Sequence, residues 1–124
     1  MNRRTTMLLF LAGECVLFAL ASVVHAGVLF AGYAHSRAAT AEGVIGAVLV
    51  LGLAACLILP SRARWIAFGA QGFALLGTLV GAFAIALGFG PQTWEDKAFH
   101  AALVITLLVG IIVIRTATTS AREP

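Results

Sequence analysis

The sequence predicts an all-α protein: an integral membrane, up-and-down four-helix bundle with both termini in the cytoplasm. Three observations carry that expectation. Four apolar runs joined by short connections fill almost all of the 124 residues. The composition is 61% hydrophobic and only 10% charged, with a mean hydropathy of +1.04. The basic residues gather on one side of an even number of runs. So little polar surface cannot cover a soluble domain of this size. Four spans of about 20 residues each use roughly two thirds of the chain, so residues 1–124 read as a single transmembrane domain with no room for a soluble catalytic unit.

The first span is expected near 7–32. Arg3 and Arg4 precede it as they would a secretory signal, but its apolar run is too long for one and Glu14 interrupts it, so it reads as a retained helix. The second is expected near 41–59, with Thr40 as its cap, Glu42 in its first turn and Pro60 as its stop. The third is expected near 64–88, capped by Ser61. The fourth is expected near 94–114, after a turn at Pro91, with Thr93 and Asp96 spaced as a capping box. Connections this short make consecutive helices antiparallel neighbours.

Charge predicts the orientation. Arg3, Arg4, Arg62, Arg64, Arg115 and Arg122 fall on one side, against Arg37 and Lys97 on the other, which places both termini inside a bacterial cytoplasmic membrane. Trp65 and Trp94 then mark opposite interfaces. The formal charge of +3 comes from arginines scattered at membrane boundaries, a pattern that argues against a nucleic-acid partner.

Depth selects the candidate site residues. Glu14 falls roughly 10 Å inside the cytoplasmic boundary, and Gln71 about 9 Å deep on the third helix, so the two can hydrogen-bond. A charged carboxylate in hydrocarbon costs about 2.5–3.5 kcal/mol on insertion scales, so Glu14 is expected to face protein or water, as a neutral carboxyl bonded to Gln71, as a contact with a partner helix, or as a proton or cation relay. His25 lies about 16 Å further along on nearly the same face. His100 and Glu42 approach the level of His25 from the outer ends of their helices, and the three can line an outward-facing polar pocket. Imidazole and carboxylate donors suit a transition metal, and two opposed histidines suit axial ligation of haem, although no local ligand motif is present. His35 is expected in solvent on the outer loop.

Gly77 and Gly81 form a GxxxG pair that Ala84 and Gly88 extend into a small-residue stripe, a face suited to close packing within the bundle or against another membrane protein or a second copy. Cys15 and Cys56 fall in the cytoplasmic half without a CxxC motif and read as small core residues. No phosphate loop, dinucleotide-binding glycine motif or nucleophile triad is legible, so an enzyme is disfavoured. A faint repetition pairs Phe30, Gly32 and Tyr33 with Gly88, Phe89 and Gly90, each group preceding an acid-bearing helix start.

Three functions follow as expectations. The first is an accessory or scaffold subunit of a larger membrane assembly. The second is a small proton- or ion-coupled transporter using Glu14, with His25 and Gln71 as further ligand- or proton-binding groups. The third is a haem- or metal-binding membrane protein using His25, His100 and Glu42. Chain size and the position of Glu14 resemble the small multidrug transporters, four-helix proteins with an essential glutamate in the first helix. That resemblance implies a coupling role for Glu14 and extends to no pattern in helices 2 to 4.

Overall fold

The computed structural model describes residues 1–117; Arg122, counted among the basic residues, lies outside the described residues. Four α-helices account for nearly all of it: α1 (Arg3–His25), α2 (Ser36–Ile58), α3 (Ala63–Ala86) and α4 (Trp94–Thr116), with 3-10 turns at Ala31–Tyr33 and Pro60–Arg62. No strand occurs among the described residues. Each of the four helices is long and apolar enough to cross a bilayer.

The helix ends are set by backbone chemistry more than by hydropathy. α1 stops at His25 and does not run on to Gly32, although Val28, Leu29 and Phe30 are apolar. Gly27 takes a φ of +77°, and the amides of Gly27 and Val28 return to the carbonyls of Val24 and Val23. This is the Schellman turn, which glycine adopts without the steric cost of a Cβ. α3 ends in the same way: Gly88 has φ +89°, and the amides of Gly88 and Phe89 bond the carbonyls of Ile85 and Ala84. In the structure Gly88 of the second group matches Gly27, five residues before the Gly32 first paired with it, as the glycine that turns the chain.

The start of α2 also departs from expectation. His35 caps it, its Nδ1 accepting from the Ala38 amide at 3.2 Å, so the helix begins at Ser36. Thr40 is an interior residue whose hydroxyl donates to the Ser36 carbonyl at 2.9 Å, and Glu42 lies in the second turn. The His35 amide meanwhile donates to the last carbonyl of α1, on His25, at 2.7 Å, folding the connection back over the helix end. Ser61 does not cap α3; it sits in the 3-10 turn between Pro60 and Arg62, and no side chain caps that helix. Thr93 does cap α4, accepting from the Asp96 amide at 3.2 Å.

The helices form a closed ring in which each packs on its chain neighbours and α4 returns to α1. Both ends of the described chain lie together, since Arg3 donates to the Thr116 carbonyl at 2.6 Å. Phe18 and Leu11 of α1, Leu49 of α2, and Leu103 and Leu107 of α4 fill the centre. Against them α3 presents Ala63, Ala67, Ala70 and Ala74, a seam spaced by fours and threes that faces inward along one side of the helix. Small residues let backbones approach where lipid supplies no hydrophobic drive between helices. Gly46 of α2 rests on Phe18, and Gly52 of α2 meets Ala70 so closely that an added Cβ would come within 2.7 Å of the alanine's. Outward, Leu9, Val50, Leu76, Phe83, Ile105 and Ile112 are exposed, so every helix carries an apolar outer face.

Gly52→Val is expected to destabilise the bundle by about 1–3 kcal/mol through overpacking. Gly72→Ala, where an added Cβ meets nothing within 4 Å, is expected to hold or raise stability, because glycine in a helix costs up to about 1 kcal/mol relative to alanine. Thermal unfolding in one detergent compares the two, and equal losses would refute the close α2–α3 contact.

Candidate functional site

Two polar layers cross the bundle. At the waist, Gln71 of α3 donates through Nε2 to Oε2 of Glu14 on α1, the bond expected from their common depth. Gly110 of α4 makes room for it: a Cβ there would lie 2.5 Å from Gln71 Nε2 and 2.6 Å from Glu14 Oε1. Glu14 and Gln71 are each 1% exposed, and both Oε1 atoms lack a partner. Ser22 plays no part here; its hydroxyl donates to the Ala39 carbonyl at 2.7 Å and ties α1 to α2. Cys15 and Cys56 are free, buried thiols, and Cys56 donates to the Ala63 carbonyl at 3.2 Å.

The second layer lies where α1 ends and α2 and α4 begin. His25, the last residue of α1, places Nδ1 at 2.7 Å from Oε2 of Glu42 and Nε2 at 3.0 Å from Oδ1 of Asp96. The three side chains are buried, at 3%, 4% and 6% exposure. With both carboxylates ionised, both ring nitrogens donate and the trio carries one net negative charge. The second oxygen of Asp96 accepts from the Thr93 hydroxyl. The second oxygen of Glu42 has no partner.

His100 joins this layer from one turn further into α4. Its Nδ1 donates to the Asp96 carbonyl at 2.8 Å, which leaves Nε2 as the lone-pair nitrogen of the neutral ring. The His25 and His100 rings lie 6.4 Å apart, centre to centre.

The sequence brought His25, Glu42 and His100 to one level but assigned Asp96 only a capping role. The signal for more was its spacing: Asp96 and His100 are four residues apart and so share a helix face.

Two cavities flank the layer. The first, about 370 Å³, lies among α2, α3 and α4 and is lined by Glu42, His100 and Thr78, with His35 and Arg37 also on its wall. Gly77, Gly81 and Ala84 line it too. The small-residue stripe of α3 therefore makes space as well as contact. Gly77 does pack on α2, since a Cβ there would meet the Ile45 side chain at 2.9 Å. At Gly81 the nearest atom to an added Cβ is His100 Nε2, at 3.9 Å. Gly88 belongs to the turn after α3 and leaves the stripe. The second cavity, about 350 Å³, lies between α1 and α4, with His25, Asp96 and Tyr33 among apolar walls from Leu17, Leu20 and Phe99. Neither cavity is lined by Glu14 or Gln71.

Of the expected metal set, brought close in the structure, His25 is otherwise engaged. Both His25 nitrogens face carboxylates, so neither offers a lone pair outward in this arrangement. No group of three or more His, Cys, Asp or Glu side chains among the described residues has a metal-holding arrangement. His35, expected in solvent, is half-buried as the α2 cap and cavity wall.

Replacing His25 by Phe leaves two carboxylates buried without their shared partner and is expected to cost about 3–5 kcal/mol. Adding Glu42→Gln and Asp96→Asn to that variant removes the uncompensated charge and is expected to recover part of the loss. Unfolding of the single and triple variants in nanodiscs measures this, and a His25→Phe protein as stable as the parent would contradict it.

Comparison with family models, curated proteins and solved structures gave no match to this chain.

Proposed function

We propose that this chain is a small integral membrane protein, with both termini cytoplasmic, that binds a small ligand at the outer end of its bundle and couples that binding to proton exchange. The observation that carries the reading is the His25 clamp. An imidazole held between carboxylates from two other helices stands beside a cavity that one of those carboxylates, Glu42, also lines. Imidazole can take a proton on one nitrogen while releasing one from the other, and ionisable groups inside membrane bundles commonly mark proton or ligand paths. The chemistry assigned to Glu14 from the sequence moves with this reading to Glu42, His25 and Asp96. Glu14 is closed in by Gln71 and Gly110 at a level that neither cavity reaches.

The accessory-subunit reading draws on the apolar outer faces, which suit lipid and a partner helix equally. The small-residue face that motivated it is partly used inside the bundle, by Gly77 on Ile45 and by Gly81 and Ala84 along the cavity. A haem or metal role would require His25 to leave at least one of its carboxylates.

The orientation is tested by single cysteines. Ser61→Cys, in the connection beside Arg62 and Arg64, is expected to react with an impermeant maleimide only from the cytoplasmic side. Gly32→Cys, in the connection after α1, is expected to react only from the outside. The reverse pattern would invert the topology.

Function is tested in proteoliposomes enclosing a pH-sensitive dye and challenged with a panel of small cations, anions and neutral solutes. One solute class is expected to move protons, Glu42→Gln to abolish the response, and Glu14→Gln to retain it. Responses no greater than those of protein-free liposomes, or loss in Glu14→Gln alone, would refute the reading. An inert purified chain that is recovered from native membranes with one stoichiometric partner would establish the accessory role instead.

A further inference from the structure

Three buried residues of the cavity among α2, α3 and α4 each bring an acceptor. Glu42 Oε1 is buried and has no partner. In the neutral ring His100 Nε2 carries the lone pair, because Nδ1 donates to the Asp96 carbonyl, and it lies on the side of Gly81. The Thr78 hydroxyl spends its proton on the Ala74 carbonyl at 2.8 Å, so its oxygen can only accept. All three residues line the cavity, which therefore presents acceptors from its buried depth.

Donors and positive charge on this wall come from His35 and Arg37, where α2 begins, and Arg37 is exposed to screening solvent. Behind Glu42, the clamp sets two carboxylates against one imidazole, and with both carboxylates ionised and the ring doubly protonated it holds one net negative charge in a setting of low polarity. The rest of the wall is apolar, with Phe18, Ile45, Ile85 and Leu103 facing the same space. A complementary ligand supplies N–H donors, one positive charge and a short apolar body. The volume, about 370 Å³, is that of a small-molecule site.

We propose that this cavity binds a small primary organic ammonium ion, its N–H groups received by Glu42 Oε1, His100 Nε2 and Thr78 Oγ and its carbon chain lying against Phe18 and Ile45. The inference rests on the function proposed above and names the ligand class of that site. The absence of a side chain at Gly81 is what leaves His100 Nε2 open to the cavity; a Cβ there is tolerated, and a longer side chain would occupy the ligand's place.

The test uses the full chain in nanodiscs with 15N-labelled histidine, titrated with n-butylammonium, n-butyltrimethylammonium, butan-1-ol and butyrate, with protein-free nanodiscs as the baseline. Butylammonium is expected to shift the His100 Nε2 signal saturably, and Glu42→Gln to weaken that binding by about tenfold or more, the equivalent of one charge-assisted hydrogen bond. Gly81→Leu, which fills the cavity and leaves the clamp residues in place, is expected to abolish binding while the His25 signals stay unchanged. Equal binding of the trimethyl analogue or of butanol would overturn the inference, since neither offers an ammonium N–H, and so would butylammonium binding that survives Gly81→Leu. If butyrate or a neutral solute binds in a Glu42-dependent way and butylammonium does not, the ligand class is wrong while the site reading stands. Loss of every Glu42-dependent response would remove both.

Discussion

The structure depends most on one residue at the end of one helix. His25 ends α1 and holds Glu42 of α2 and Asp96 of α4, so a single ring fixes three helices at the end of the bundle where α2 and α4 begin. Such a bond matters in a bilayer because lipid tails are as apolar as the side chains they meet, and helix association must draw on packing and polar contacts. The helix ends favour the arrangement electrostatically. Asp96 lies in the first turn of α4, where the aligned peptide dipoles are positive, and His25 lies at the carbonyl end of α1, where they are negative. The His35 amide, donating to the His25 carbonyl, holds the connection in place so that Glu42 reaches the ring.

The clamp also explains why the two polar layers differ in kind. At the waist, Glu14 and Gln71 come from α1 and α3, which face each other across the bundle axis, and their bond is completed by the missing side chain of Gly110. That layer is sealed, and its chemistry is that of a strut. Beside the His25 layer, one of the two cavities opens where α3 carries Gly77, Gly81 and Ala84 instead of the larger residues that fill the centre. Buried carboxylates in both places bear on stability, and those of the His25 layer line the two cavities described above.

Much of this was legible from depth and periodicity. Rise per residue alone put Glu14 level with Gln71, and His25 level with His100 and Glu42. Three things were not legible. Hydropathy does not end a helix, so the apolar Val28–Phe30 stretch hid the glycine turn at Gly27. Histidine is an uncommon cap, so the sequence pointed to Thr40 where His35 performs the task. A stripe of small residues reads the same whether a neighbouring helix closes on it or a cavity opens there. Here Gly77 does the first and Gly81 the second. Asp96 shows a related limit: its fit as a capping residue satisfied the local pattern and concealed the oxygen that reaches His25.

The clamp lies between two cavities of different lining. Glu42 faces the space among α2, α3 and α4, whereas His25 and Asp96 face the apolar groove between α1 and α4. In the proposed coupling, the doubly protonated ring can give its Nε2 proton to Asp96 on one wall or its Nδ1 proton to Glu42 on the other, so protons are exchanged with either side without any backbone shift. A ligand seated against Glu42 acts on the same pair of bonds, since its positive charge competes with the protonated ring for that carboxylate. On the proposed reading, ligand binding and proton release are linked through this one carboxylate, and each shifts the other by the same free energy.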